Sequence, residues 1–589
     1  MRKPTKRLLT LVSRGMLGFL FVLSLTPLAS RSYTLPENEV YMRPPSGGPY
    51  GNQDGSTWYD AITGFTPDTN DRISPARNTV YWMAGGNYTI QQFDTISGTD
   101  LLVFKTATKA EHGSDPGDDW DNSWDDVPVT ITNGMGSIEG TSYVVLDGSY
   151  RSDPVSGYGM VIDPSTNAKG IYANGVNCSN WTIRYVEFSG NGPDEPNAGG
   201  NDGLTAARAG SDNWTVQYCY FHDQGKNCIT AKFGENWLIE HNWFEYNENG
   251  WLGVEHSCPL VLGDHSSLCD NFIIRYNFFY NTPGTGIVCH AGSDFKIHGN
   301  VMWHDDNLEY WAVEAEESIT GLGPVGVCGS WGDKPTEEYV ATHDQFYNNT
   351  MFNLQTGGDG NASLNYDPDD YAIARNNIWV GCDSITLSAS SSHANNTYSH
   401  NLFYDNDGTP FGTSIQNATS NPFVDSANAD FRLVTATTAG YTLSSTFEFD
   451  LTGAVFGEDG IWDRGAFEFT ETGDLRIKDF TGHVQALFDE YGNLLLGGEL
   501  IASNTATSPS SHRDDFLINV GATTVAFIET ENGNMYIDGI LSENQSTLTP
   551  SGADDNFIIK NGSGTVVGYL DNDGDLFLKG SLYEEASLP

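Results

Sequence analysis

Asn236-Trp-Leu-Ile-Glu-His-Asn-Trp-Phe is one of five near-copies of a single nine-residue pattern. Asn180-Trp-Thr-Ile-Arg-Tyr-Val-Glu-Phe and Asn213-Trp-Thr-Val-Gln-Tyr-Cys-Tyr-Phe precede it. Asn271-Phe-Ile-Ile-Arg-Tyr-Asn-Phe-Phe and Asp294-Phe-Lys-Ile-His-Gly-Asn-Val-Met follow. The aromatic anchors Trp181, Trp214, Trp237, Phe272 and Phe295 are spaced by 33, 23, 35 and 23 residues. Alternation with period two, β-branched and aromatic residues, and breaks at Gly and Asn exclude a helical repeat. A step near 23 suits one coil of a parallel β-helix, and the longer steps are coils that carry loop insertions.

Working outward from these copies, Phe188, Phe221, Phe244, Phe279 and Met302 fall in one column, as an inward stack requires. Asn242, Asn277 and Asn300 fall in another, and Asn349, Asn377 and Asn401 recur in the same setting. Stacked amides at a strand-ending turn can donate and accept along the helix axis, so this column reads as a structural asparagine ladder. With these features the chain resembles the secreted right-handed β-helix proteins, the broad family that includes the pectate-lyase-like enzymes. The lead-in Tyr41–Trp58 and the close from Asn421 to Phe469 share the resemblance. It implies an all-β fold, a right-handed parallel β-helix, with residues 31–140 as lead-in and first coils and 141–470 as the main stack. The same frame serves lyases, hydrolases, epimerases and binding proteins, so it is specific for fold and not for activity.

A different repeat fills residues 471–589. Its turn glycines Gly492, Gly533 and Gly574 are spaced by 41 and 41, and each unit reads as strand, turn, strand. These three hairpin repeats either extend the stack or form a separate tail. Residues 1–30 carry a basic start (Arg2, Lys3, Lys6, Arg7, Arg14), an apolar run from Met16 to Leu25 and small residues at Ala29 and Ser30. That is the grammar of a signal peptide, too short to be a comfortable membrane span, and implies a secreted or cell-surface protein. With 28 Lys and Arg against 77 Asp and Glu, the net charge is −49, which disfavours nucleic acid and anionic membranes as partners. Export permits disulfides, and Cys258 and Cys269, which bracket an apparent loop, are the expected pair; Cys219, Cys228 and Cys289 fit buried strand positions. No Cys/His spacing resembles a zinc site.

Chemistry is expected on the strand that follows the Phe column in each coil. Aligned there, Ala207, Ala231, Val254, Cys289 and Val313 would point inward, and Arg208, Lys232, Glu255, His290 and Glu314 outward in one column. A β-elimination lyase needs a base for the C5 proton and a cation to neutralise the uronate, and Lys232 and Arg208 fit those roles, with His290 protonating the leaving oxygen. Calcium could add positive charge, with Asp202 and Asp223 as ligands. A hydrolase needs two carboxylates, and Glu255 and Glu314, two coils or about 9.6 Å apart, approach the spacing of an inverting pair. Trp251 and Trp311 would stack on sugar rings. A polysaccharide or cell-surface glycan is thus the expected partner. The competing reading is that outward strand positions are polar anyway, and that the protein is a non-catalytic adhesive stalk whose 41-residue repeats make the contacts. The acidic segment Trp120–Asp126 reads as a solvated turn, with calcium binding as its alternative.

Overall fold

The computed structural model describes residues 33–583 apart from segments of which the longest are 191–201, 246–257, 305–325, 330–340 and 502–515. The chain divides into two compact units, residues 31–469 and a unit that takes in residues 470–589.

The first unit is a right-handed parallel β-helix. Each coil crosses three long sheets in turn. The first sheet holds Trp181–Arg184, Thr215–Gln217, Leu238–Glu240, Ile273–Arg275 and Lys296–His298. The second holds Val186–Ser189, Tyr220–His222, Trp243–Glu245, Phe278–Tyr280 and Val301–Trp303. The third holds Ile171–Ala173, Leu204–Ala206, Ile229–Ala231, Leu260–Leu262 and Ile287–Cys289. Among the described residues the three sheets run to 12, 12 and 11 strands, and all their pairings are parallel, coil on coil.

Both expected columns form. Phe188, Phe221, Phe244, Phe279 and Met302 are in register on the second sheet and buried. Phe188 and Phe221 stack at 4.4 Å, and Phe221 and Phe244 at 5.2 Å. The anchors Trp181, Trp214, Trp237 and Phe272 stack at 5.2, 4.9 and 5.4 Å on the first sheet. Each of these three indoles donates to a carbonyl of the coil before, at Thr141, Cys178 and Ser211, so the polar atom of a buried Trp is satisfied. The Asn that opens a copy (Asn180, Asn213, Asn236, Asn271) has φ between 56 and 60°, a left-handed corner that Asn tolerates better than most residues.

The other corner, between the first and second sheets, holds the ladder. Asn242, Asn277, Asn300, Asn349, Asn377 and Asn401 form one continuous series, each Nδ2 donating to the next Oδ1 at 3.0–3.1 Å. Each of these acceptor oxygens also takes the backbone N–H of the Asn before it, and Asn242 Oδ1 takes that of Cys219. Every ladder residue is buried. Outside the ladder the residues just before these corners carry left-handed φ, and their rings stack: Tyr185 on Tyr218 at 5.3 Å and Tyr218 on His241 at 4.9 Å.

The outer face of the first sheet is covered at several points. Tyr33 donates to Asp147, which also pairs with Arg184 at 2.8 Å. Further along, Phe447 packs on His298 and Tyr347, and Asn348 donates to the carbonyls of Asp463 and Gly465. In the lead-in, Trp120 and Trp124 pack on Trp58, and Asp121 caps the Ser123 amide, so the acidic segment is an anchored turn. Cys258 and Cys269 are two buried thiols and not the expected bridge. Cys269 lies in the stack interior, where its Sγ donates to the Ala231 carbonyl at 3.2 Å. Burial pushes the Cys219 thiol up to about 12.

The second unit does not repeat the coil pattern. Each repeat has three antiparallel strands: Leu475–Lys478, Val484–Phe488 and Leu494–Leu496; Phe516–Val520, Thr523–Ile528 and Met535–Ile537; Phe557–Lys560, Val566–Leu570 and Leu576–Leu578. A short fourth strand leaves each repeat and pairs in parallel with another. Leu500–Ile501 joins Met535–Ile537, and Leu541–Ser542 joins Leu576–Leu578. Leu582–Tyr583 returns to Leu494–Leu496, so the three repeats close on themselves. Leu494, Leu496, Met535, Ile537, Leu576 and Leu578 belong to the one buried core. Asn493 Oδ1 accepts the Ser581 amide and Asp575 Oδ1 accepts the Ile540 amide, which gives Asp575 a capping role in the turn.

Candidate functional site

Of the residues that the sequence singles out, Asp202, Arg208 and Lys232 border strands of the third sheet, and Asp223 follows a strand of the second. The register of the third sheet runs Ala173, Ala206, Ala231, Leu262, Cys289, all buried. Ala206, not Ala207, therefore faces inward beside Ala231. Ala207 stands level with Lys232, and Arg208 lies one residue further on. In the next coil the strand is Leu260–Leu262, and Leu262, not the expected Val254, stands in register with Ala231. The insertion displaces the strand by eight residues, which no alternation pattern reveals. Glu255, His290, Glu314, Trp251 and Trp311 lie outside the described residues.

What remains is a basic edge. Arg208 is exposed and its Nε donates to Asn174 Oδ1 at 3.3 Å; Lys232 is half-buried on the next coil. Lys169, one coil earlier, stands at the opposite end of the strand, before Ile171, where it lies over the Tyr172 ring at 4.8 Å and pairs with Asp202 at 3.0 Å. Asp202 is buried and fully used. Its Oδ2 also takes the Thr205 hydroxyl at 2.7 Å, and its Oδ1 takes the Asn227 amide. Asn227 Oδ1 in turn takes the Cys258 amide, so Lys169, Asp202, Asn227 and Cys258 form a second, shorter ladder. Asp223 Oδ2 is bonded to His222 Nδ1 at 2.7 Å. Asp202 offers calcium no open oxygen, Asp223 is partly exposed but paired with His222, and among the described residues no three potential metal ligands group together.

A second cluster, of which the sequence reading picks out only Asp223, sits on the outer face of the second sheet. His222 Nε2 meets Glu187 Oε1 at 3.2 Å, while Nδ1 meets Asp223. Burial opposes the imidazolium, but hydrogen bonds to Asp223 and Glu187 outweigh it and raise its pKa to about 9. Glu245 Oε2 accepts from Tyr220 Oη and from Trp243 Nε1, each at 3.0 Å. Burial raises the Glu245 pKa despite these two donors. Tyr220 stacks on His222 at 4.3 Å and Trp243 on Phe278 at 5.1 Å. The signal was present in and just after the repeated pattern: these residues flank the inward Phe column at Phe188, Phe221, Phe244 and Phe279.

No family model and no curated protein matches the chain. Among solved structures it is similar to pectate lyase Pel9A, with 13% identity, 74% of this chain and 97% of the other covered, and a TM-score of 0.34. The PL6 family polysaccharide lyase Pedsa3628 from Pseudopedobacter saltans gives 13% identity, 62% and 93% coverage and a TM-score of 0.25. The A-module of the Azotobacter vinelandii mannuronan C-5 epimerase AlgE4 gives 11%, 58%, 89% and 0.20. No helix among the described residues is long and apolar enough to cross a membrane.

Proposed function

We propose that the chain is a secreted protein that binds an acidic polysaccharide along the edge of the third sheet and cleaves it by β-elimination. The observation that supports this is the placement of Arg208 and Lys232 on successive coils, just past the ends of Leu204–Ala206 and Ile229–Ala231, in a chain with 28 basic and 77 acidic residues. Cations gathered against so negative a background suit a uronate chain, whose carboxylates they neutralise. Lys232 is the base for the C5 proton and Arg208 the exposed cation that meets the carboxylate.

The test is incubation of residues 31–589 with polygalacturonate, alginate and neutral polysaccharides, with and without calcium, following product size and unsaturated-uronate absorbance together. Shortened uronate products with that absorbance, lost at least a hundredfold in Lys232→Ala, are expected. Shortening without the absorbance would replace this reading by hydrolysis and direct attention to Glu255 and Glu314. No cleavage of any substrate would leave the adhesive-stalk reading.

A further inference from the structure

On the second sheet, every outward position from Glu187 through Tyr280 keeps part of its surface in solvent. On the third sheet, of the equivalent positions, Thr205, Thr230 and Val288 are buried and only Tyr172 and Val261 keep part of their surface in solvent. The exposed strip has defined ends. Above it, Tyr158 stacks offset on Tyr220 at 6.2 Å, its hydroxyl held by Arg151. Below it, Phe431, on the strand Asp430–Leu433, packs on Trp303 and Phe352, and Trp303 is buried. Between those ends lie four coils, roughly 14 Å by strand spacing.

We propose that this strip binds an uncharged polysaccharide, with sugar rings on Tyr220, Trp243 and Phe278 and sugar hydroxyls bonded to Glu187 and Glu245. Aromatic rings supply the apolar surface that the C–H faces of a sugar match, and carboxylates accept from its hydroxyls. Glu245 is pre-set for this: Tyr220 and Trp243 both hold Oε2, and Oε1 has no hydrogen bond among the described residues. Charge selects the ligand. Glu187, Asp223 and Glu245 face the strip against the His222 imidazole and, at its upper end, Arg151, so an anionic chain still meets net negative charge here, the opposite of the Arg208–Lys232 edge of the third sheet. The site is separate from the one proposed above and does not rest on it.

Calorimetric titration of the full chain with cellohexaose, mannohexaose and maltohexaose, and with a hexagalacturonate, tests this. At least one neutral hexaose should bind, at least tenfold more weakly to Trp243→Ala and severalfold more weakly to Glu245→Gln, with binding to Lys232→Ala unchanged. Glu245→Gln preserves side-chain shape, so it decides the matter should Trp243→Ala lose its fold. The proposal is overturned if no neutral hexaose binds, if both variants bind as the parent does, or if hexagalacturonate displaces the neutral ligand. Loss of uronate cleavage with neutral binding intact would count against the lyase reading alone.

Discussion

The two units bury apolar surface by opposite topologies. In residues 31–469 each coil pairs with the coil before and the coil after, so the stack has two ends and its order is local. In residues 470–589 the last strand returns to the first repeat, and the sheets have a cycle in place of ends. A stack can be tuned coil by coil, and inserted loops cost little because loop-closure entropy rises slowly with length. A cycle gives that freedom up: opening it anywhere exposes a shared core. This fits where variation is found, with steps of 23 to 35 residues in the stack against a fixed 41 in the tail.

Four experiments press on that contrast. Asn300→Ala should have the largest effect. It removes an oxygen that accepts both the Asn277 amide and its side chain, and a donor to Asn349, all buried. At 1–3 kcal/mol per orphaned group the cost is about 4 kcal/mol, read by calorimetry as a lowered β-helix transition with the tail transition unmoved. His222 comes next. Its folded pKa of about 9 lies above the ordinary 6.5, so its stabilisation is complete below pH 6.5 and is lost as pH rises through 9. The β-helix melting temperature should fall across that window by at most about 3 kcal/mol in equivalent stability, and His222→Gln should flatten the slope.

Ending the chain at Gly580 removes the strand Leu582–Tyr583 and opens the ring. A cost of about 2 kcal/mol, roughly 10 °C for a unit of this size, should appear in the tail transition only; an unchanged transition would mean that closure contributes nothing. The smallest effect belongs to Asn493→Ala and Asp575→Ala, which each lose one cap to an incoming strand. Each should cost about 1 kcal/mol, and equal costs would support equivalence of the repeats.

Much of the stack is legible because its columns use distinctive residues. Trp, Phe and Asn recur at fixed places, and each does a job that only a few side chains can do. The third sheet is less legible because its inward positions are small and generic. In Ala206-Ala207-Arg208 two adjacent alanines leave the inward–outward parity undefined, which shifts Arg208 by one place. The insertion before Cys258 hides the next strand altogether. The acid–aromatic cluster was missed for another reason: Glu187 stands in a quoted copy and His222 and Glu245 just after two others, but only their meeting across coils gives them chemistry. In the tail, the joining strands are two residues long, too short for any periodicity to announce them.

The closed tail has one further property. Leu582–Tyr583, near the end of the chain, pairs in the same four-stranded sheet that begins with Leu475–Lys478. Which repeat comes first is then an accident of where the polypeptide was cut, not a feature of the packing. A circular permutant that joins the end of the third repeat to the start of the first, with new termini between Leu541–Ser542 and Phe557–Lys560, should refold to the same core.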